Sequence, residues 1–124
     1  MQVIIIRGLP GSGKSTIAKL MTDYEHFEAD QFFYTEDGTY NYDPSKVKDA
    51  HIDCNRRVRE ALNNGRKVVI SNTFTRVFEF EPYLKMCKER GIEPIIIESK
   101  GRFKNIHGIS DEAIKRMKMR WESH

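Results

Sequence analysis

Residues 8–15 read Gly8-Leu9-Pro10-Gly11-Ser12-Gly13-Lys14-Ser15, and Thr16 follows. They match the pattern G-x-x-x-x-G-K-[ST] at every fixed position. Glycines let a backbone wrap closely around an anion and take dihedral angles closed to other residues. Successive N–H groups of such a turn point inward as a nest for phosphate oxygens. A helix starting at its end adds partial positive charge. In this pattern Lys14 reaches the β- and γ-phosphates of a nucleoside triphosphate, and the Ser15 hydroxyl ligates Mg²⁺. A glycine-rich turn with an incidental lysine is the bland alternative, but a strand-like run before the motif and a helical run after it are the context that phosphate binding needs.

Transfer of a phosphoryl group requires more than a cradle. It needs a positioned acceptor, a base, and cations where charge develops. Asp30, in Phe27-Glu28-Ala29-Asp30-Gln31, is the best base, since a carboxylate there can accept the proton of an acceptor hydroxyl. It could equally cap a helix, and the two roles can coexist. Arg76 follows closely on Asn72-Thr73 and can face the same cleft; Arg116 and Arg120 lie four apart on one helical face that can bind nucleotide or nucleic acid but reads first as an ordinary solvated surface. Tyr34, Tyr40 and Tyr42 can stack on an acceptor base or pack their loop onto the sheet. His51 and His107 read first as structural histidines.

The elements that must position these groups alternate. Residues 2–7 are a short β-branched run ending at Gly8, hence a buried strand. Residues 14–21 read as a helix, 26–29 as a weak strand, and 34–42 as a loop turning at Asp37-Gly38. Asp43-Pro44 starts a helix with Val47, Ala50, Cys54, Val58 and Ala61 inward, and Asn64-Gly65 ends it. Residues 68–71 form the next strand. A helix with Val77, Phe80, Leu84 and Cys87 inward runs to Gly91, and residues 94–98 form another strand. A basic loop spans residues 100–109. Ser110 then caps a last helix carrying Ile114, Met117 and Trp121 on one face. Strand and helix in alternation imply an α/β fold, a small doubly wound parallel sheet with right-handed crossovers. Its ligands sit at the carboxyl ends of the strands, where Gly8, Asp30, Asn72 and Ser99 fall.

Composition sets the outer bounds. At 124 residues the chain supports one domain spanning residues 1–124. Its 39% hydrophobic and 31% charged content fits a globular protein and excludes a disordered one. No apolar run is long enough to span a membrane, and the run before Gly8 is too short for a signal peptide. The net charge of +3 is compatible with phosphate-rich partners without naming one. Cys54 and Cys87 are far apart, lack metal spacing and read as buried thiols of a reducing, cytoplasmic compartment.

Beyond the first motif, the chain carries Asp37-Gly38-Thr39-Tyr40-Asn41-Tyr42-Asp43-Pro44, Ala50-His51, Asn72-Thr73 and Asn105-Ile106-His107-Gly108, followed by a Met- and Arg-containing helix. With Asp30, this set resembles a family of small P-loop kinase-like ATPases, related to the 5′-kinase domain of phage-type polynucleotide kinases. The resemblance covers nearly the whole chain. It implies a nucleotide-kinase-like fold, ATP and Mg²⁺ as cofactors, Asp30 as general base, and a hydroxyl acceptor such as the 5′ end of a nucleic acid. This chain departs from the family in three places. Asn72 stands in a segment where the family carries an acid, so it can hold a metal-bound water but brings no charge. Phe33 stands where polynucleotide kinases place an arginine. The lid segment is short, leaving Lys100, Arg102 and Lys104, with Arg102 and Lys104 as the candidates to meet the transferred phosphate. A nucleotide-binding module, a partner-dependent ATPase and a kinase of a nucleoside-like small molecule are the other readings of these departures.

Overall fold

The fold is that of a computed structural model describing residues 2–100 and 110–123. Val3-Ile4-Ile5-Ile6 favours extended backbone because branching at Cβ restricts the side chains. These residues open β1 (Val3–Gly8), buried along its whole length. β1 pairs in parallel with β3 (Val68–Asn72) on one edge and β4 (Ile95–Ser99) on the other. The three-residue β2 (Glu25–Phe27) lies outside β3, giving the strand order β2-β3-β1-β4. The register sets Arg7 opposite Asn72 and Glu98, and Gly8 opposite Ser99, so the carboxyl ends of the three longer strands meet.

Alternation along β1 divides the core. Val3 and Ile5 face a layer containing α2 (Val47–Asn63) and α3 (Glu81–Glu89), where Ala50, Cys54, Val58, Tyr83 and Cys87 are buried. Ile4 and Ile6 face α1 (Lys14–Leu20), meeting Ala18 and Val69. The sheet is therefore covered on both faces, as parallel sheets require. This is the doubly wound arrangement read from the alternation of elements.

The helix ends follow local chemistry. Asp43 Oδ1 accepts from the Ser45 N–H at 3.0 Å, as a cap should, but a 3-10 turn (Pro44–Lys46) precedes α2. Ser110 Oγ accepts from the Ala113 N–H at 3.2 Å at the start of α4 (Asp111–Met119). The helix expected to include Val77 and Phe80 begins later, at Glu81, after a 3-10 turn (Val77–Glu79). Pro82 explains the shift: its ring and missing N–H are tolerated only in a first helical turn. The loop after Phe33 folds back on itself, with a bridge between Tyr34 and Tyr40 and a positive φ of 84° at Gly38. Among the described residues no helix is long and apolar enough to cross a membrane.

β2 is a short edge strand fastened by a side chain. His26 Nε2 lies 2.5 Å from Ser71 Oγ on β3 and 3.5 Å from Glu28 Oε2. Burial lowers the His26 pKa below its usual value near 6.5; Glu28 opposes that shift and Lys19 adds to it. The unfolded state therefore takes up a proton before the native state does, and stability present above pH ~6.5 is lost as pH falls toward the folded value. Thermal melts from pH 7.5 to pH 5.5 should show a falling midpoint, and His26→Asn should flatten that fall; equal slopes would remove His26 from the account. At Gly8, an added Cβ would collide with Ser12 Oγ and lie 2.9 Å from the Ser99 carbonyl oxygen. Gly8→Ala should therefore cost about 1–3 kcal/mol in denaturant unfolding, the usual range for overpacking; a variant as stable as the parent would show that the neighbouring strand yields.

Candidate phosphate-binding cleft

The turn after β1 is shaped by its glycines. Gly11 and Gly13 take φ values of 79° and 90°, a left-handed region that other residues avoid. Gly13 also caps α1 without a side chain, leaving the first-turn N–H groups free of intrahelical partners. The turn is closed by Ser12 N–H to the Leu9 carbonyl at 3.0 Å and by Ser99 Oγ to the Ser12 carbonyl at 2.6 Å. Ser12 Oγ is buried with no hydrogen-bond partner among the described residues. A cradle of unspent N–H groups at a helix start fits an anion.

The turn borders a cleft of about 710 Å³, to whose lining it contributes Pro10, Gly11, Gly13, Lys14, Ser15 and Thr16. Lys14 is half-buried; desolvation lowers its pKa, while the charges of Glu28 and Asp30 raise it. Those two acids frame the middle of the cleft. Glu28 Oε2 accepts from Ser15 Oγ at 2.9 Å and from Ser71 Oγ at 3.2 Å. Ser71 thereby joins Glu28 to His26 in one hydrogen-bonded chain.

Asp30 sits in the first turn of a 3-10 helix (Ala29–Phe33) whose N-cap position is Glu28, so Asp30 is not the cap. Its Oδ1 accepts from the Tyr40 hydroxyl at 3.3 Å. Burial and the Asp30 charge push the Tyr40 pKa up, which keeps that phenol protonated and donating. The turn is tied to α2 by Arg57, which donates to Gln31 Oε1 at 2.5 Å and to the Glu28 carbonyl at 3.1 Å. Gln31 Oε1 also accepts from the Glu28 N–H at 3.1 Å.

The cleft is also lined by Phe33, Tyr40, Tyr42, Ala50, His51, Phe74, Met117 and Arg120. The Tyr40 and Tyr42 rings are parallel within 10°, and Phe33 meets Tyr42 edge-on at 5.1 Å between centroids. Tyr42 is exposed, while Phe33, which it meets edge-on, is buried. The tyrosines thus pack their loop and also line the cleft.

The residues singled out from sequence have different fates. Asp30, Lys14, Ser15, Thr16 and Asn72 all border the cleft. Asn72 is buried, its Oδ1 accepts from the Ala29 N–H at 2.8 Å, and its amide points to Cys54 Sγ at 3.9 Å. Leu9, Ser12 and Ser99 line a second hollow of about 400 Å³ behind the turn, with Ile114 and Trp121. Arg76 is exposed, 4.0 Å from Glu122, and is not among the residues lining the cleft. Arg102, Lys104 and His107 lie outside the described residues. Three lining residues went unweighted or were set aside in the sequence. Glu28 had a signal, an acid two positions before Asp30 at a strand end. Arg120, which in the sequence reads first as a solvated surface residue, lines the cleft and donates from Nε to Thr75 Oγ1 at 3.2 Å. Phe74 had no signal: its φ of 48° is set by tertiary contacts.

Oxygen donors suit Mg²⁺, which keeps several waters and takes only one or two protein ligands beside substrate phosphates. Ser15 Oγ and Glu28 Oε2 form such a pair, and no group of three or more His, Cys, Asp or Glu side chains suited to a metal exists among the described residues. The donor set therefore fits Mg²⁺ held partly by nucleotide.

A family model described as an AAA domain matches residues 3–100. The chain is similar to human NEDD4-binding protein 2, with 30% identity over 129 residues; the match covers 93% of this chain and 7% of that protein. Among solved structures, a chain of a Pnkp1/Rnl/Hen1 complex superposes with a TM-score of 0.64 at 18% identity, covering 93% of this chain and 38% of that one. The Mycobacterium tuberculosis APS kinase CysC, in complex with AMPPNP and APS, superposes with a TM-score of 0.53 at 15% identity, covering 79% of this chain and 61% of that one. At these identities the superpositions establish the fold, that of P-loop kinases. Matched over most of its length, and with Gly8 to Ser15 folded into a glycine-rich turn between strand and helix, the chain belongs to the AAA domain family.

Proposed function

We propose that the protein is a phosphotransferase that moves the γ-phosphate of ATP to a hydroxyl, with a nucleic-acid 5′-hydroxyl as the acceptor. One observation carries this reading. Asp30 stands in the same cleft as Lys14 and Ser15, and its charge acts on Lys14. A carboxylate beside the phosphate cradle serves transfer to an acceptor better than nucleotide binding alone.

The roles follow from position. The backbone N–H groups of Gly11, Gly13, Lys14 and Ser15, with the Lys14 side chain, hold the β- and γ-phosphates. Asp30 accepts the proton of the acceptor hydroxyl as its oxygen bonds to phosphorus and ADP leaves. Tyr40 orients Asp30 through its hydroxyl. Ser15 and Glu28 hold Mg²⁺, which neutralises charge on the phosphate oxygens when bound. Asn72 keeps the Ala29 N–H in place and so sets the turn that carries both acids. Arg120 lines the cleft and can meet the acceptor, and Arg102, from the sequence alone, is the candidate to meet the transferred phosphate. The exposed ring of Tyr42 suits a ring-bearing acceptor, because base–aromatic stacking is sequence-tolerant and worth about 1–3 kcal/mol per base.

A second reading, a nucleotide-binding ATPase with little intrinsic transfer, draws on Arg120 being already engaged with Thr75. γ-Labelled ATP offered with 5′-hydroxyl oligonucleotides and with nucleosides separates the two: label on an oligonucleotide end supports the kinase, and nucleotide bound or hydrolysed without labelled acceptor supports the other.

Asp30→Asn should lower transfer about 10²–10⁴-fold, the span typical of a general base, while ATP affinity stays near the parent's; near-parental transfer would place the base elsewhere. Glu28→Gln should raise the Mg²⁺ concentration needed for half-maximal activity, with little change in acceptor KM. An unchanged Mg²⁺ requirement would remove Glu28 from the metal site.

A further inference from the structure

The roles assigned above leave one buried cation unused. Arg7, next to last in β1, is only 1% exposed. A guanidinium in such a place must spend its N–H groups on acceptors. Its Nε and Nη2 donate to the Phe74 carbonyl at 3.0 and 2.8 Å, and Nη2 also reaches the carbonyls of Thr75, at 3.2 Å, and Glu122. Its Cζ lies 4.3 Å from the Trp121 ring centroid and 4.9 Å from that of Phe80. Desolvation lowers its pKa, and Glu98, Glu122 and Glu79 pull it back up. One side chain thus joins the central strand, the loop after β3 and the end of the described chain.

The end of the described chain carries a wall of the cleft. No residue of α4 is buried, yet Ala113, Met117 and the following Arg120 line the cavity. Such a helix contributes little packing of its own to hold it in place. The fastenings gather just past its C-terminus. Arg120 Nε meets Thr75 Oγ1 at 3.2 Å, the Glu122 N–H meets the Thr75 carbonyl at 2.6 Å, and the Val77 N–H meets Glu122 Oε1 at 2.8 Å. Arg7 sits beneath them and bonds both sides of the junction.

We propose that Arg7 is a positioning residue that fastens residues 120–122 to the loop after β3 and so fixes α4 as a wall of the cleft, with Arg120 held in its lining. The fastening stands on geometry alone; its effect on the acceptor rests on the function proposed above.

Arg7→Met keeps the apolar stem and removes every donor. Amide hydrogen exchange on the full chain, without nucleotide, should then quicken at least about ten-fold across residues 113–121 while amides of β1 and β3 hold near their parental rates. Trp121 is the one tryptophan in the sequence, so acrylamide quenching of its emission reports the same junction directly and should increase. Parental exchange and quenching in folded Arg7→Met would overturn the fastening. Should Arg7→Met not fold, Trp121→Ala tests the same junction from a half-buried position outside the sheet, with the same exchange increase expected and parental exchange overturning the proposal. In folded Arg7→Met, acceptor KM should rise several-fold with ATP affinity unchanged. A loosened α4 with parental KM and kcat would overturn the positioning role and leave the fastening standing. If the parent itself transfers no phosphate, the function proposed above fails, and exchange alone judges the fastening.

Discussion

Strand β1 has a hydrogen-bonded neighbour on each edge and helices over each face, so its backbone polar groups must all be paired inside the protein. That requirement fixes its register against β3 and β4, and the register fixes where the chain leaves the sheet. Gly8 emerges beside Ser99 with no room for a side chain. The turn that follows is anchored to β4 through Ser99 Oγ and to α1 through its own first turn. Its amides are therefore directed by the sheet.

Charge in the cleft is balanced in pieces rather than in one ion pair. Lys14 lies under the influence of both Glu28 and Asp30. Glu28 is committed to hydroxyls, those of Ser15 and Ser71, whereas Asp30 meets a phenol. Hydroxyl partners can turn to suit either an anion or a metal-bound water, and the His26 ring lies 3.5 Å from the same Glu28 oxygen. The two acids stand two residues apart on one short turn, and Arg57 and Gln31 brace that turn from α2. Placing both acids on so short a segment makes their separation a property of the backbone.

The opposite rim is built differently. Phe74 is held in a left-handed backbone conformation, which costs a bulky residue roughly 1–3 kcal/mol and persists only when surroundings over-determine it. Here the surroundings are visible: Phe80 and Tyr83 meet its ring edge-on, and Arg7 takes its carbonyl twice. The buried guanidinium and the strained backbone are two sides of one arrangement. Both serve the loop that receives the residues following α4.

Local signals in the sequence were sufficient for the cradle, the alternation of elements and the helix caps at Asp43 and Ser110, because each depends on neighbours within a few positions. Glycine spacing dictates a nest; β-branched runs dictate strands; Asp-Pro dictates a helix start. Strand alternation also sufficed for a parallel sheet with both faces covered, since short crossovers leave few other ways to bury those runs. The helix before β4 was legible in kind but misplaced at its start, where the position of Pro82 outweighed apolar spacing. What the sequence by itself could not determine was which distant side chains share a cavity. Glu28 joins Ser15, Asn72 turns to the Ala29 N–H, and Arg120 comes to line the cleft only because β2 pairs with β3, and β3 and residues 120–122 meet β1. Those placements are decided by strand order and by the need to pair a buried Arg7, and both arise only once the chain has closed around its central strand.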